Sequence, residues 1–297
     1  MKFSVWPSYD RSWDETITLA RWAEAHAFDG FWYADHLMPY TADGTPHPGD
    51  AYECWTVLAA VGALVPRIRL VSMVSPVSIH HPVLLTKRAI TTDHISGGRA
   101  VLGIGAGWQE NEHSSFGFPL LEAAPRVTRF EEAIQIVRSL LAEEHTNFVG
   151  VHYTVTDAPC SPKPVGALPI VVGTGSPRMM RLTARWADEW NTWGDPDEVA
   201  RRTDRFHAAC DAVGRDPSTV RRSAQAMIHF GEAPADATMG RTISGSVEQL
   251  IEQLNRYVEL GLEEFALLDD TFGETPESRL DGLARLHADV LPHVGRL

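Results

Sequence analysis

The chain has 297 residues, 44% of them hydrophobic, and a formal net charge of −13 at pH 7. That is apolar material for a large α/β core, in a protein too acidic for nucleic acid or an anionic membrane as its main partner. Cys54, Cys160 and Cys210 are odd in number, far apart and without metal-type spacing, which argues against a disulfide framework and fits a reducing cytoplasm.

Lys2–Trp6 reads as a strand, and no long apolar run precedes Pro7 as it would in a signal peptide. No stretch approaches the roughly 18 apolar residues of a membrane span. A helix follows at Asp14–Phe28, with Leu19, Trp22, Ala23 and Ala27 at helical spacing. Gly30–Ala34 is the second strand. The polar, Gly- and Pro-rich stretch Asp35–Asp50 separates it from a helix at Cys54–Leu64. Ile68–Val74 and the helix Val83–Ile95 make the third pair. Arg99–Ile104 is the fourth strand, and a long loop leads from it to a helix at Arg126–Leu141.

His145–Ala167, with Tyr153, Val155 and a cluster of prolines, reads as a small strand pair laid over the fold before the fifth strand. Ile170–Gly173 with Arg178–Ala187, Glu189–Thr192 with Pro196–Val213, and Val220–Ile228 carry the alternation onward. Ser246 and Gln249 then form a capping-box pattern, Val247, Leu250, Ile251, Leu254, Tyr257 and Val258 an apolar face, and Gly261 a stop. Glu264–Leu268 is the eighth strand and Glu277–Val290 the last helix. Eight β/α units without an inter-domain linker predict one closed (β/α)8 TIM barrel over residues 1–297, with a small excursion before strand five.

In such a barrel the chemistry belongs at the C-terminal ends of the strands. Two of those ends are small-residue turns. Gly103-Ile104-Gly105-Ala106-Gly107 reads either as a tight turn or as a bed for a flat ring; it lacks the helix and acidic residue of a dinucleotide fingerprint. Gly173-Thr174-Gly175-Ser176 precedes Pro177, well placed as a first helical residue. Backbone N–H groups there, with the Thr174 and Ser176 hydroxyls and Arg178, suit a phosphate; the plainer reading is a capped helix without a ligand. His36, just past the second strand, is a candidate for proton transfer, with Asp35 orienting it or fixing the loop. His80 and His81 point to opposite sides of extended chain, and no metal motif occurs. Glu110 and Glu112 read as a solvated loop, with His113 alone kept as a contact.

Taken together these residues resemble the luciferase-like monooxygenase superfamily, in its deazaflavin-dependent oxidoreductase branch. The resemblance rests on Gly30-Phe31-Trp32-Tyr33-Ala34-Asp35-His36, on His81-Pro82, and on Asp93-His94-Ile95-Ser96-Gly97-Gly98-Arg99 running into the first glycine turn. It continues in Pro169-Ile170-Val171-Val172-Gly173, in Ala187-Asp188-Glu189-Trp190-Asn191 and in Gly245. It implies a bacterial luciferase-like barrel, usually dimeric, with a flavin-like ring across its mouth and a non-proline cis peptide within Met73-Val74-Ser75. By motif position, Asp35 and His36 face the ring and Ser75 hydrogen-bonds near it. Ala106, Gly107 and Asn111 line the path of the cofactor's side chain, and Gly173, Thr174, Gly175 and Ser176 hold its phosphate.

Two departures stand out. Trp108 replaces the acidic residue that follows the glycine turn in sugar-phosphate dehydrogenases of this branch, and Tyr40 replaces their Trp. Both argue against glucose 6-phosphate, and Trp6, Tyr40 and Trp108 suggest an aromatic-walled substrate pocket. The expectation is a cytoplasmic, homodimeric oxidoreductase that moves a hydride between coenzyme F420 and a small organic substrate, with His36 as general acid/base and no metal. An excess of Arg (23) over Lys (3) has the signature of GC-rich genomes and favours the deazaflavin. FMN with O₂ in a monooxygenase is the first alternative, and a flavin-binding protein without turnover the second.

Overall fold

The barrel strands are short and buried almost throughout, because helices cover their outer faces and side chains fill the inside. The computed structural model describes residues 1–235 and 237–295. Its strands are β1 (Lys2–Trp6), β2 (Gly30–Tyr33), β3 (Arg69–Ser72), β4 (Ala100–Gly105), β5 (Ile170–Gly173), β6 (Glu189–Trp193), β7 (Arg221–Gln225) and β8 (Glu264–Leu268). They pair in parallel in the order β3-β2-β1-β8-β7-β6-β5-β4, and β3 also pairs with β4, which closes the cylinder. The fold class is the TIM barrel read from the sequence.

Side chains alternate across the strands. Trp6, Trp32, Val71, Val101, Val171 and Ala266 fill the interior, while Phe31, Leu70, Leu102, Val172, Phe265 and Leu267 pack outward in the main core. The N-terminal end of the barrel is plugged by charge. Glu264 Oε2 accepts from Arg69 Nη1 at 2.7 Å and Arg221 Nη2 at 2.8 Å, its Oε1 accepts from Trp32 Nε1 at 2.9 Å and from the Ser4 hydroxyl, and Arg69 Nη2 also bonds Glu189 at 2.5 Å. Burial raises the Glu264 carboxyl, but Arg69, Arg221 and these hydrogen bonds outweigh it and hold it below its ordinary value.

The chain departs from the sequence reading in several places. Strand seven ends at Gln225; Met227–Phe230 then leaves the barrel to pair in parallel with Thr242–Gly245, a partner 15 residues away that periodicity cannot reveal. The long loop after β4 contains a helix, Glu110–Phe116, and the next helix begins earlier than expected, at Ala123. The first helix ends at Ala25, because Ala27 takes a positive φ of 58°. The excursion is a hairpin, His145–Val149 against Thr154–Pro159, and the capping box at Ser246 and Gln249 is present. Among the described residues no helix is long and apolar enough to cross a membrane.

Two glycines of the first turn, Gly103 and Gly105, make room for the chain itself, while Gly107 lines the cavity described below. Met73–Val74 is a cis peptide, and Ser75–Pro76 pairs with Ile104–Gly105 beside it. A Cβ on Gly103 would stand 1.7 Å from the Ser72 carbonyl oxygen, and one on Gly105 2.7 Å from Val74 Cγ2. These glycines admit the chain's own β3 corner. Gly103→Ala is expected to lower stability by about 3 kcal/mol or more, since a backbone carbonyl cannot rotate away as a side chain can. Chemical denaturation of the purified variant checks this.

Candidate active site

A cavity of about 700 Å³ opens at the C-terminal end of the barrel, within the ordinary size range of small-molecule sites. One wall is aromatic: Trp6 and Trp193 lie 5.9 Å apart by ring centroids, and Tyr40 and Trp108 5.2 Å apart at the rim. Met73, Val74 and Pro76 form an apolar bed. Gly173, Thr174 and Gly175 line a third side together with Arg202.

His36 is set into this cavity between Tyr9 and Trp108, with centroids at 5.3 and 5.6 Å. Its Nδ1 lies 3.1 Å from Oε1 of Glu112, which is 1% exposed. An ionised carboxylate only accepts, so Nδ1 carries the hydrogen and Nε2 is left as the free basic nitrogen. Glu112 is fixed in turn by the Leu37 N–H, which donates to Oε2 at 2.9 Å. The helix Glu110–Phe116 pins the loop that bears His36 at two further points. Gln109, its N-cap, donates to the Met38 carbonyl and Asn111 donates to the Pro39 carbonyl, each at 2.9 Å.

Asp35 is not the partner of His36. It is buried behind the wall, where it accepts from the Ser75 hydroxyl at 2.5 Å and lies 3.0 Å from His80 Nε2. Arg88 donates to His80 Nδ1 at 2.9 Å, so the His80 proton sits on Nε2, toward Asp35. Burial would raise Asp35, but His80, the Ser75 hydroxyl and nearby His36 hold it below its ordinary value. Ser75 also accepts from Trp55 Nε1 at 2.9 Å. Alternation along the chain turns adjacent side chains apart, which sends Asp35 inward and His36 to the cavity.

The second glycine turn fits an anion better than the first. A Cβ on Gly175 would meet Arg202 Nη1 at 3.1 Å, so the bare backbone and a guanidinium share one corner. Arg202 is held there by Glu198 at 2.6 Å and Thr192 at 3.2 Å. The helix Pro177–Trp186 starts beside it, and its N-cap, Ser176, makes no side-chain capping bond. Arg178 is not available, being bonded to Glu131, Thr128 and the Ala124 carbonyl.

The cavity brings together His36, Gly107, Gly173, Thr174, Gly175, Trp6, Tyr40 and Trp108 of the residues singled out in the sequence. Asp35, Ser75, Ala106, Asn111 and Ser176 stand outside its lining. Asn111 is turned to the Pro39 and Thr45 carbonyls, and Ser176 is exposed. His113 is buried, its Nε2 accepting from the Ser78 hydroxyl at 2.7 Å. Missed in the sequence were Glu112, Tyr9, Trp193, Arg202 and Arg241, whereas Asp270 stands at the end of the eighth strand, where the barrel reading places chemistry. The i, i+4 pairing of Glu198 with Arg202 on a predicted helix was the one local signal for any of them. Burial, and the neighbouring charge of Asp269, push Asp270 up to about 6. Among the described residues no cluster suited to a metal ion occurs.

The barrel has known counterparts. The chain belongs to the luciferase-like monooxygenase family, which matches residues 1–240. It is 32% identical over 185 residues to an F420-dependent glucose-6-phosphate dehydrogenase of Microbacterium testaceum, covering 62% of this chain and 54% of that protein. It is 28% identical over 243 residues to an F420-dependent hydroxymycolic acid dehydrogenase of Mycobacterium tuberculosis, covering 80% and 65%. The chain thus spans about half the length of the glucose-6-phosphate dehydrogenases it matches. Among solved structures, an F420-dependent secondary alcohol dehydrogenase in complex with an F420–acetone adduct superposes with a TM-score of 0.85 at 17% identity, covering 99% of this chain and 98% of that one. At that identity the likeness is one of fold.

Proposed function

We propose that the chain is an oxidoreductase that transfers a hydride between coenzyme F420 and a small organic substrate. The observation that carries this reading is the imidazole of His36, tied at Nδ1 to a buried carboxylate with Nε2 free, in a cavity whose other side is a glycine cradle beside an arginine. The activities of the relatives in sequence support the choice of cofactor.

The residues present fit that cofactor. Met73 and Val74 offer a flat apolar bed for a tricyclic ring, and Gly173, Thr174 and Gly175 with Arg202 offer a cradle for its phosphate. When bound, the deazaflavin supplies two-electron hydride chemistry. The protein's own part is orientation, exclusion of water and one proton. His36 Nε2 takes the hydroxyl proton of an alcohol being oxidised, or returns it to the oxygen of a carbonyl being reduced. Glu112 holds the imidazole in the required tautomer and orientation.

The substrate is an uncharged molecule with a flat or apolar body. Trp6, Tyr9, Tyr40 and Trp108 suit such a body, and Asp270, ionised above about pH 6, opposes an anion on the same side. In this reading the barrel acts as one domain over 1–297, supported by the continuous β/α alternation, and works in the cytoplasm, which three buried free cysteines suit; a homodimer is carried over from the family resemblance alone. An anaerobic screen tests the substrate class, following reduction of added coenzyme F420. Aromatic secondary alcohols such as 1-phenylethanol are expected to turn over faster than glucose 6-phosphate; the opposite order contradicts the reading.

A further inference from the structure

Between the apolar bed and the phosphate corner stands a buried amide that no step above uses. Asn191, in the middle of β6, is 1% exposed and lines the cavity. Its Nδ2 donates to Gln225 Oε1 at 2.7 Å and to the Ser223 hydroxyl at 3.1 Å. Both amide hydrogens are thereby engaged, and Oδ1 is the atom left over. The position of Oδ1 is fixed by a second measure. A Cβ on Gly173 would stand 3.8 Å from Asn191 Oδ1, 3.8 Å from Val74 Cγ1 and 3.2 Å from Met73 Cε. The free amide oxygen therefore sits where the bed and the glycine turn converge. Behind it Gln225 is fully buried, and its Nε2 has no hydrogen-bond partner among the described residues. Gln225 Oε1 fixes which way the Asn191 amide faces, and an amide oxygen left without a donor in a cavity wall points to a ligand group that donates to it.

We infer that Asn191 binds the hydroxylated chain that links the ring of the cofactor to its phosphate. This rests on the cofactor reading above. The group at this junction has to bridge an apolar bed and an anion corner, and it has to offer hydrogen bonds to an amide. The ribityl chain of a deazaflavin, or of FMN, meets both demands, and one of its hydroxyls can donate to the free Asn191 Oδ1. Gln225 is a positioning residue here: it holds Asn191 and touches no ligand itself.

The test compares two ligands on the intact protein by fluorescence titration: coenzyme F420, which carries the polyol, and lumiflavin, a tricyclic ring with a methyl group in its place. Asn191→Ala is expected to weaken coenzyme F420 binding about tenfold and to leave lumiflavin binding within about twofold. Asn191→Ser, which keeps a short polar group, is expected to recover part of the loss and serves if the alanine variant fails to fold. Gln225→Ala is expected to give a smaller loss with the same selectivity. An equal loss for both ligands, or no loss for coenzyme F420, overturns the inference while leaving the cofactor reading standing. A wild-type protein that binds neither coenzyme F420 nor FMN overturns both.

Discussion

Replacing His36 by alanine is expected to lower turnover about 10²- to 10⁴-fold while leaving the affinity for coenzyme F420 nearly unchanged. The split follows from the geometry. Turnover needs a base whose lone pair faces the cavity, and His36 Nε2 is that group because Glu112 occupies Nδ1 at 3.1 Å. Binding draws instead on Met73, Val74, the Gly173–Gly175 turn and Arg202, none of which touches the imidazole in the hydrogen bonds of the site. Glu112→Gln keeps the shape and removes the charge, so it is expected to reduce turnover by a smaller factor than loss of the ring. Steady-state kinetics beside a binding titration checks both variants. Unchanged turnover in His36→Ala would remove proton transfer from the account.

The second large effect lies at the other end of the barrel. Glu264→Gln is expected to cost about 3 kcal/mol, because it strips a fully buried carboxylate from between Arg69 and Arg221 and leaves two partly buried guanidinium groups with Glu189 as their remaining acid. For a chain of this size that is a fall in Tm on the order of 5–10 °C. The sign of the pH dependence follows from the lowered Glu264 carboxyl. Its stabilisation is fully present above the ordinary glutamate value of 4.5 and is lost as pH falls through the lower folded value. The gap in Tm between wild type and variant is therefore widest near neutrality and narrows below pH 4.5. Cofactor affinity well below the Tm should not change, since the plug and the cavity lie at opposite ends. Thermal melts at two pH values, with a binding titration at low temperature, test all three statements.

The barrel was legible in the sequence because its strands are short apolar runs spaced by helices with clear stripes, from Lys2–Trp6 to Glu264–Leu268. Turn and cap chemistry marked the ends, as at Ser246 and Gln249. Trp6 and the turn at Gly173 were legible because strand ends lie at the mouth of a barrel, whereas Tyr40 and Trp108 were legible only as departures from the pattern of the family the chain resembles. What failed was any pairing set by tertiary contact. Glu112 looked like a solvated acid, since nothing local shows that a helix folds it back onto His36, 76 residues earlier. Asp35 was read as orienting His36 or fixing the loop; adjacency in extended chain turns the two apart, and its contacts with Ser75 and His80 fit the second role. The glycines at 103 and 105 were ambiguous because a turn that admits a ring and one that admits the chain's own backbone have the same composition. Arg202 reaches the site only through the packing of its helix beside Gly175.

The most direct test of the central claim is a fluorescence titration of purified apoprotein with coenzyme F420 and, separately, with FMN. The account predicts tight binding of coenzyme F420 and weak binding of FMN, with both weakened by Arg202→Ala. Preference for FMN would contradict deazaflavin-dependent hydride transfer and turn the case to an oxygen-using monooxygenase; binding of neither would contradict the assignment of the cavity itself.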